Sequence, residues 1–379
     1  MPYRLIIALF GAFFGAGAFW MFLPLLSVSL RAEGVGDFWV GIISGLPWIG
    51  LLAISSFIPA IIHRLGLQRM IVVGMGFAAL VFLGFASTRN LVIWSILCLV
   101  MGAALALRWA GLDTWMNGSF PDHLRGRLTG IYELILSGSM AVGPGILVLS
   151  GSAGSTPFLA GAAVTAGSAL LLVLAGREAP HVSEPGTTRT RQRDILRQEP
   201  AAFAGIFLVG VTEACNLSLM PIFGLSQGFS VHLSALLVVT VQSGVAFGAV
   251  MIGGLADHLD RKKLRNLTVC AMVLMPLGLI LGLHQGLWPW LIIWGLAQGG
   301  LFTLGIVFIA SRYTGLGLAS AMSLSMVVYT LGGIFGPTVM GMSMGLLGPR
   351  GFPIGLALVA LASAFAILRF LPDHDTALT

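Results

Sequence analysis

Ionisable side chains are rare inside the long apolar runs of this sequence, where only Arg108, Asp113, Glu133 and Glu213 occur. An ionisable residue at the centre of a membrane helix costs about 2.5 to 3.5 kcal/mol on insertion scales, so each of the four is a candidate for function. All seven histidines lie in loops or at the ends of the apolar runs. We therefore expect carboxylates rather than imidazoles to carry any proton through the apolar region.

Glu213 lies thirteen residues after Pro200, near the middle of an apolar run that contains no basic residue. Burial disfavours the charged form of a carboxyl, so a buried carboxyl can bind and release a proton near neutral pH. Asn216 and Met220 follow at helical spacing on the same face. The sequence predicts that Glu213 binds a proton, and a satisfied structural hydrogen bond is the alternative.

Arg108 precedes Asn117 by nine residues, and Glu133 follows Arg127 by six. On successive helices, these spacings place both charges at a similar depth, roughly one and a half to two and a half turns from the cytoplasmic surface. The sequence predicts an ion pair between them, which either fixes packing or takes part in proton transfer. Asp113 lies nearer the surface, where hydration beside Asn117 is the alternative to a role with protons.

The chain around these residues has the composition of a membrane protein. Of its 379 residues, 57% are hydrophobic and only 9% are charged, and the mean hydropathy is +0.97; soluble domains have about a quarter of charged residues. The apolar runs have the length of bilayer-spanning helices, whereas transmembrane β-strands would alternate apolar and polar residues. We expect the first run to be a retained helix rather than a signal peptide, and Cys98, Cys215 and Cys270 to be packing residues.

Division of the chain at charges, Pro and Gly predicts an all-α membrane protein with twelve transmembrane helices. The spans cover about residues 5–30, 38–62, 68–88, 91–117, 127–150, 156–175, 200–226, 232–256, 264–284, 287–311, 318–346 and 351–371. The segment 176–200 has five Arg, four acidic residues and three Pro, and it cannot bury enough apolar area to fold alone. We therefore predict two six-helix bundles, 1–175 and 200–379, joined by a linker at 176–199.

The Lys and Arg residues predict the orientation. If the spans alternate, sixteen of the twenty lie on the side of the N-terminus and three, Arg31, Arg89 and Arg350, lie on the other side. Because Lys and Arg concentrate on the cytoplasmic side, both termini and the linker are expected in the cytoplasm. This asymmetry accounts for the net charge of +6, so the charge gives no reason to expect nucleic-acid binding.

The two halves contain similar segments. PAIIHRLGLQRM at 59–70 matches GGLADHLDRKKL at 253–264, and Gly143-Pro144 lies 193 residues before Gly336-Pro337. Proline lacks a backbone donor, so these Gly-Pro pairs are expected to kink or open their helices. Several GxxxG spacings predict close helix contacts. A parallel repeat of six-helix units is the architecture of many secondary transporters.

These segments resemble the major facilitator superfamily over essentially the whole chain. The loop at 253–262 is similar to the family pattern G-x-x-x-D-[RK]-x-G-[RK]-[RK], although Asp260 stands where a Gly is usual, and in the first copy Pro59 and His63 replace the Gly and the Asp. Gly138, Gly143 and Pro144 resemble the fifth-helix pattern of the family's antiporters. The resemblance implies conformational gating by Arg64, Gly66, Arg69, Gly253, Asp257, Arg261, Lys262, Gly143, Pro144, Gly336 and Pro337.

Within the superfamily, the run from Arg108 to Asn117 followed by Tyr132-Glu133 resembles the YcaD-like branch of bacterial transporters. The family lines its cavity with helices one, four, seven and ten. The resemblance thus implies a substrate-binding pocket made of Trp20, Arg108, Glu213, Asn216, Trp294 and Gln298, with ordinary packing as the alternative for the tryptophans. It also implies a role in proton coupling for Arg108, whereas the positions of Glu213, Asp113 and Glu133 inside apolar runs predict proton coupling by these carboxylates.

The function expected from these features is secondary active transport by alternating access. Few charges in an aromatic pocket favour a small amphipathic or weakly cationic organic compound, and the fifth-helix pattern favours its export by proton-coupled antiport. A uniporter or importer of a neutral small solute is the alternative. A non-transporting receptor or membrane-embedded enzyme would need a large extramembrane domain or a catalytic constellation, and the sequence shows neither. We expect no cofactor, metal or nucleic acid, and a monomer in the bacterial cytoplasmic (inner) membrane.

Overall fold

The computed structural model describes residues 3–119, 135–136, 138–140, 143, 145–147, 154–174, 192–256, 258–280, 287–313 and 315–369. Its helices in these ranges are α1 (Tyr3–Ala32), α2 (Asp37–Ser55), α3 (Ile58–Leu65), α4 (Leu67–Ser87), α5 (Leu91–Ser119), α6 (Thr156–Leu174), α7 (Gln192–Gln198), α8 (Pro200–Ser218), α9 (Met220–Ser226), α10 (Val231–Leu255), α11 (Arg261–Ile280), α12 (Leu287–Arg312), α13 (Gly315–Leu347) and α14 (Gly351–Arg369). A 3₁₀ turn, Gly348–Arg350, joins the last two.

Ten stretches of the described residues are long and apolar enough to cross a membrane. The last of these, Ser320–Arg369, contains two helices, α13 and α14. The all-α prediction is confirmed, and most observed helix ends lie within a few residues of the predicted span ends. The predicted span at 127–150 falls largely outside the described residues. Within it, residues 138–140 and 145–147 are described and are helical.

Two predicted spans are interrupted at prolines. The span at 38–62 is divided into α2 and α3, with Pro59 in the first turn of α3, and the span at 200–226 is divided into α8 and α9, with Pro221 in the first turn of α9. Proline has no N–H to donate and clashes with the preceding turn, but it is well tolerated at the start of a helix. Each apolar run therefore forms two helices.

The helices pack in two groups. In the first group α1, α2, α4, α5 and α6 contact one another, and in the second α8 and α10 to α14 do so. At the crossing of α10 and α12, a Cβ on Gly244 would lie 3.0 Å from the Cα atom of Gly295. The prediction that GxxxG spacings mark close helix contacts is confirmed at this crossing. The division of the chain into two six-helix bundles joined at 176–199 stays a prediction.

The two groups meet mainly through α2 and α13, and α1 makes smaller contacts with α8 and α9. Gly41 of α2 faces the Pro337 carbonyl of α13, and a Cβ on Gly341 would lie 2.7 Å from the Asp37 carbonyl oxygen. These residues belong to the N-terminal half of α2 and the C-terminal half of α13. The contact therefore lies at the end of the bundle opposite Tyr3.

Helix α7 lies within the predicted linker and packs near the start of α8. Ile195 is buried, Arg312 forms an ion pair with Glu199, and the Tyr313 hydroxyl donates a hydrogen bond to Gln198 Oε1 at 2.8 Å. Burial raises the pKa of Glu199, and this effect outweighs the lowering by the Arg312 guanidinium. The end of the linker is thus anchored to the second group of helices.

Candidate functional site

Glu213 lies on α8 with only 3% of its surface exposed. Gln298 of α12 donates a hydrogen bond from Nε2 to Glu213 Oε2 at 3.4 Å, and Asn216 donates from Nδ2 to Gln298 Oε1 at 3.0 Å. The hydroxyl of Tyr329, on α13, interacts with the same carboxyl. We call Glu213, Asn216, Gln298 and Tyr329 the carboxyl cluster.

The position of α8 assembles this cluster. All residues of α8 from Leu208 to its end are buried, because α12, α13 and α14 pack around it. Asn216 lies about one turn after Glu213 and so shares its face. Gly210 lets α13 approach closely, since a Cβ there would lie 3.0 Å from the Tyr329 carbonyl carbon. This close approach brings the Tyr329 side chain to the carboxyl.

Glu213 has no basic partner among the described residues. The ion pairs in that part of the chain join Arg31 to Asp37, Arg89 to Glu33 and Arg312 to Glu199, all at helix ends. Oε1 of Glu213 also accepts no hydrogen bond of good geometry from the described residues. A buried carboxylate without a basic partner loses several kcal/mol of hydration, which the neighbouring amide and phenol groups replace only in part.

Other buried polar atoms in the helix interior lack a hydrogen-bond partner among the described residues. They include Asn216 Oδ1, Trp294 Nε1, Trp48 Nε1 and both polar side-chain atoms of Gln242. An unsatisfied buried polar group costs about 1 to 3 kcal/mol, and in native proteins water or a ligand commonly satisfies it. The helices around the carboxyl cluster therefore offer donors and acceptors to a polar ligand.

Two aromatic rings flank Tyr329. Trp48 of α2 packs edge-on with its centroid 5.8 Å from that of Tyr329, and Phe302 of α12 does so at 5.8 Å as well. The sequence did not single out Tyr329 or Trp48, because the family resemblance directed attention to helices one, four, seven and ten. Trp48 lies on α2 and Tyr329 on α13, the two helices that join the groups. No local sequence pattern indicates that a tyrosine on one helix will contact a carboxyl on another.

The remaining residues of the predicted pocket make their described contacts in different places. Trp294 is fully buried one turn before Gln298. Trp20 packs closely against Gly143, where an added Cβ would lie 2.7 Å from the Cβ of Trp20. Arg108 is buried in the first group, with Nη1 3.5 Å from the Ala12 carbonyl oxygen, and it lines a cavity of about 20 Å³ that has room for about one water molecule. The described contacts thus join Glu213, Asn216 and Gln298 to one another. They do not join Trp20 or Arg108 to these three residues.

Asp113 and Glu133, the predicted partner of Arg108, are less fully described. Asp113 is half-buried on the last turns of α5. Glu133 lies outside the described residues, so its pairing with Arg108 stays a prediction.

Comparison with known families decides the class of protein. The sequence model described as Major Facilitator Superfamily matches residues 5–314. The chain belongs to this superfamily. It is therefore a membrane transporter, which confirms the prediction of a transporter rather than an enzyme.

Relatives within the superfamily are distant. The chain is 24% identical over 335 residues to the uncharacterized MFS-type transporter YfkF of Bacillus subtilis, which covers 86% of this chain and 84% of YfkF. It is also 24% identical over 326 residues to the uncharacterized MFS-type transporter YcaD of Escherichia fergusonii, covering 84% of this chain and 83% of YcaD. The predicted resemblance to YcaD is confirmed at this low identity.

Solved structures show the same fold. The nucleoside transporter NupG superposes with a TM-score of 0.78 at 14% identity, covering 97% of this chain and 99% of NupG. A bacterial homologue of the human lysosomal transporter Spinster, in an inward-facing and unoccupied conformation, gives a TM-score of 0.78 at 13% identity, covering 97% of this chain and 95% of that chain. At such identities the similarity establishes the fold of the transporter and no substrate.

The predicted gating loops of the transporter are partly described. Gly66 joins α3 to α4 with φ of +79°, a conformation that favours glycine, and Arg64 and Arg69 beside it are exposed. In the second copy Arg261 donates from Nε to the Ala256 carbonyl at 3.1 Å. Gly253 lies near the Thr303 methyl group, and Lys262 lies in the first turn of α11. Asp257 and Pro144 lie outside the described residues.

The side-chain contacts of Asp260 account for the presence of Asp where the family pattern has Gly. Its Oδ1 accepts hydrogen bonds from the backbone N–H of Lys262 at 2.8 Å and of Lys263 at 3.4 Å. These are the contacts of an N-cap residue, so Asp260 begins α11 in place of the usual glycine. The Gly-Pro pairs lie at helix contacts: a Cβ on Gly336 would lie 2.7 Å from the Val211 carbonyl oxygen.

Proposed function

We propose that this transporter exports a small amphipathic or weakly cationic organic compound in exchange for protons. Two six-helix halves, 1–175 and 200–379, alternate the access of a central cavity from one side of the membrane to the other. Glu213 is the residue that carries the proton. The single observation that supports this most directly is a buried carboxyl that has amide and phenol neighbours but no basic partner among the described residues.

The remaining candidate residues take supporting roles in this proposal. Asn216, Gln298, Trp294 and Trp20 contribute to the substrate pocket, which a cation can enter because Glu213 is anionic when it has released its proton. Trp and Tyr faces attract organic cations within about 6 Å of the ring centroid. Arg108, Glu133 and Asp113 assist proton movement in the first half. The gating residues of the two loops and the Gly-Pro pairs permit the change of conformation.

We also propose that the transporter lies in the bacterial cytoplasmic membrane with both termini and the linker inside. The excess of Lys and Arg on that side supports this orientation. The contact between α2 and α13 then lies near the outer surface, so the described conformation is closed to the outside.

The substrate class can be tested by thermal unfolding of the purified protein with amphipathic cations such as ethidium and, separately, with neutral sugars and nucleosides. A ligand of the folded state at about 100 times its Kd adds about 2.7 kcal/mol of apparent stability. We expect cations to raise the unfolding temperature and to do so less at acidic pH, where protons compete. Stabilisation by neutral solutes alone would contradict the proposed substrate class.

The coupling can be tested in proteoliposomes that enclose a pH-sensitive dye. Addition of the stabilising cation should move protons in the parent protein, and Glu213→Gln should abolish this movement while it retains size and hydrogen-bonding reach. Glu33→Gln is the matched control, because Glu33 pairs with Arg89 at an exposed helix end. Proton movement that persists in Glu213→Gln would show that another group carries the proton.

A uniporter or importer of a neutral solute remains the second candidate, since the hydrogen bonds from Asn216 to Gln298 and from Gln298 to Glu213 also suit a neutral polar ligand. In that case Glu213 acts only as a hydrogen-bond acceptor. Transport would then be independent of pH and would survive in Glu213→Gln.

A further inference from the structure

Trp48 connects the carboxyl cluster to the opposite group of helices. It lies on α2, only 1% exposed, and its ring meets the Tyr329 ring at an interplanar angle of 72°. It also packs against Gly333, where a Cβ would lie 2.9 Å from the indole ring atom Cε2. A residue of the first group thus covers the tyrosine that interacts with Glu213.

Tyr329 is shared between two contacts. Its hydroxyl interacts with the Glu213 carboxyl, and its ring lies between Trp48 and Phe302. The Trp48 ring therefore helps to exclude water from this end of the cluster as long as α2 and α13 are in contact. Separation of the two helices would remove the ring and expose Tyr329.

We propose that Trp48 is a positioning residue that couples the proton on Glu213 to the contact between α2 and α13. This inference rests on the proposed role of Glu213 as the proton carrier. While Trp48 covers Tyr329, an ionised Glu213 is buried without a basic partner among the described residues, which is unfavourable. The contact therefore forms with protonated Glu213 and is released when the carboxyl ionises, because each state is favoured by its own interaction with the proton.

Few other titratable groups face Glu213 from the described helices that pack on α8. Tyr329 does so. Cys215 lies two residues after Glu213 on α8, with its sulfur toward Gly336 and thus on another side of that helix. The charged groups and the histidine on the other helices packed on α8, and beside the start of α8, lie away from Glu213. Those at or beside helix ends are Arg312, Arg369, Arg31, Asp37, His232 and Glu199, and those on the short helix α7 are Arg193, Asp194 and Arg197. A pH-dependent change of the contact would accordingly report on Glu213.

A disulfide can report the contact directly. A Cβ on Gly345 of α13 would lie 3.6 Å from the Cβ of Phe38 of α2, which is within the Cβ separations of disulfides. The reporter protein carries Phe38→Cys and Gly345→Cys with alanine at positions 98, 215 and 270. The measurement is the rate of cross-linking after brief oxidation at a series of pH values. Glu213→Gln in the same reporter corrects for the pH dependence of thiol chemistry, so the result is the ratio of the two rates.

We expect the ratio to fall by about fivefold or more between about pH 5.5 and pH 8.5, the lower end of common coupling strengths. For Trp48→Ala, the ratio is the cross-linking rate of Trp48→Ala divided by that of Trp48→Ala with Glu213→Gln. Over the same pH range this ratio should change less than about twofold, because water reaches the carboxyl in the closed state once the ring is absent. Ile49→Ala is the matched control, since Ile49 is the next residue of α2 and is 41% exposed; it should behave as the parent. If Trp48→Ala does not fold, Trp48→Leu, which keeps apolar volume without the ring, decides in its place.

The outcomes separate this inference from the proposed function. A ratio that stays constant with pH in the reporter protein itself shows that the contact between α2 and α13 is not linked to the protonation of Glu213, and it overturns this inference. The proposed function fails separately, if proton movement persists in proteoliposomes that carry Glu213→Gln. A ratio that falls in the reporter protein and falls equally in Trp48→Ala leaves the proton site intact and overturns the role of Trp48. A merely structural Trp48 would weaken cross-linking equally at every pH and keep the fall in the ratio, which also overturns the role.

Discussion

Gly341→Ala is expected to shift the transporter away from the described conformation. Gly341 lies on α13 in the contact with α2, and an added Cβ would be 2.7 Å from the Asp37 carbonyl oxygen and 2.8 Å from the Gly41 Cα atom. Ordinary contacts of a Cβ begin at 3.4 Å. Both neighbours are backbone atoms, so no side chain can move aside, and the two helices would have to separate by about 0.7 Å.

The size of the effect follows from the cost of overpacking. Inserting a methyl group into a tight contact costs about 1 to 3 kcal/mol, and each 1.4 kcal/mol is a factor of ten in an equilibrium. The closed population should therefore fall by about fivefold to 150-fold relative to a conformation in which α2 and α13 are apart. Global stability should change much less, because the separated conformation carries no clash and alanine is a better helix former than glycine.

The assay is the cross-linking rate between cysteines at positions 38 and 345, at one pH, together with thermal unfolding. Gly76→Ala is the control, because Gly76 lies in α4 with nothing within 4 Å of an added Cβ. We expect slow cross-linking in Gly341→Ala and parental cross-linking in Gly76→Ala. Equal rates in the two variants would refute the reasoning that this glycine contact holds the closed end together.

Three further predictions concern the ends and the first half of the bundle. Burial raises the pKa of Glu199 above its ordinary value of 4.5, so the stability that its carboxyl contributes is complete below pH 4.5 and is lost as the pH rises through the raised pKa. In thermal unfolding, Glu199→Gln should therefore gain stability relative to the parent as the pH rises. The opposite trend would mean that the Arg312 ion pair dominates. Asp260→Ala should lose about 0.5 to 2 kcal/mol through the missing N-cap of α11, whereas Asp260→Asn should lose little in the same measurement. Arg108→Met should lose about 3 to 5 kcal/mol and be rescued by Glu133→Leu; a double variant no more stable than the single ones would show that the two residues are not partners.

The helices of this protein were predictable because a membrane imposes a length. Apolar runs of about twenty residues are needed to cross the bilayer, and the charged and Pro- or Gly-rich segments between them mark their ends. The breaks at Pro59 and Pro221 were less apparent, since a hydropathy pattern does not distinguish one helix from two in sequence. Helix α7 was missed because seven residues, mostly polar, show no reliable periodicity.

The carboxyl cluster was predictable only in part. Glu213 is recognisable from one run of sequence, and Asn216 follows it on the same face, but the contact with Gln298 depended on which helices line the cavity in the superfamily. Tyr329 is 116 residues from Glu213, and its approach depends on the glycine at 210. Trp48 approaches from the other group of helices. Such contacts arise from helix crossings, which a single sequence does not encode locally.

The arrangement of α13 gives a physical reason why the proton site and the helix contact should act together. Tyr329, Gly333, Pro337 and Gly341 recur every four residues and so follow one stripe of the helix. The first interacts with Glu213, the second meets Trp48, and the last two meet the N-terminal half of α2. Pro337 cannot donate to the Gly333 carbonyl, so the helix is weakest between the tyrosine and the close contact with α2. A bend or rotation at this point would move Tyr329 relative to the carboxyl as α2 and α13 separate, so one helix would carry both changes.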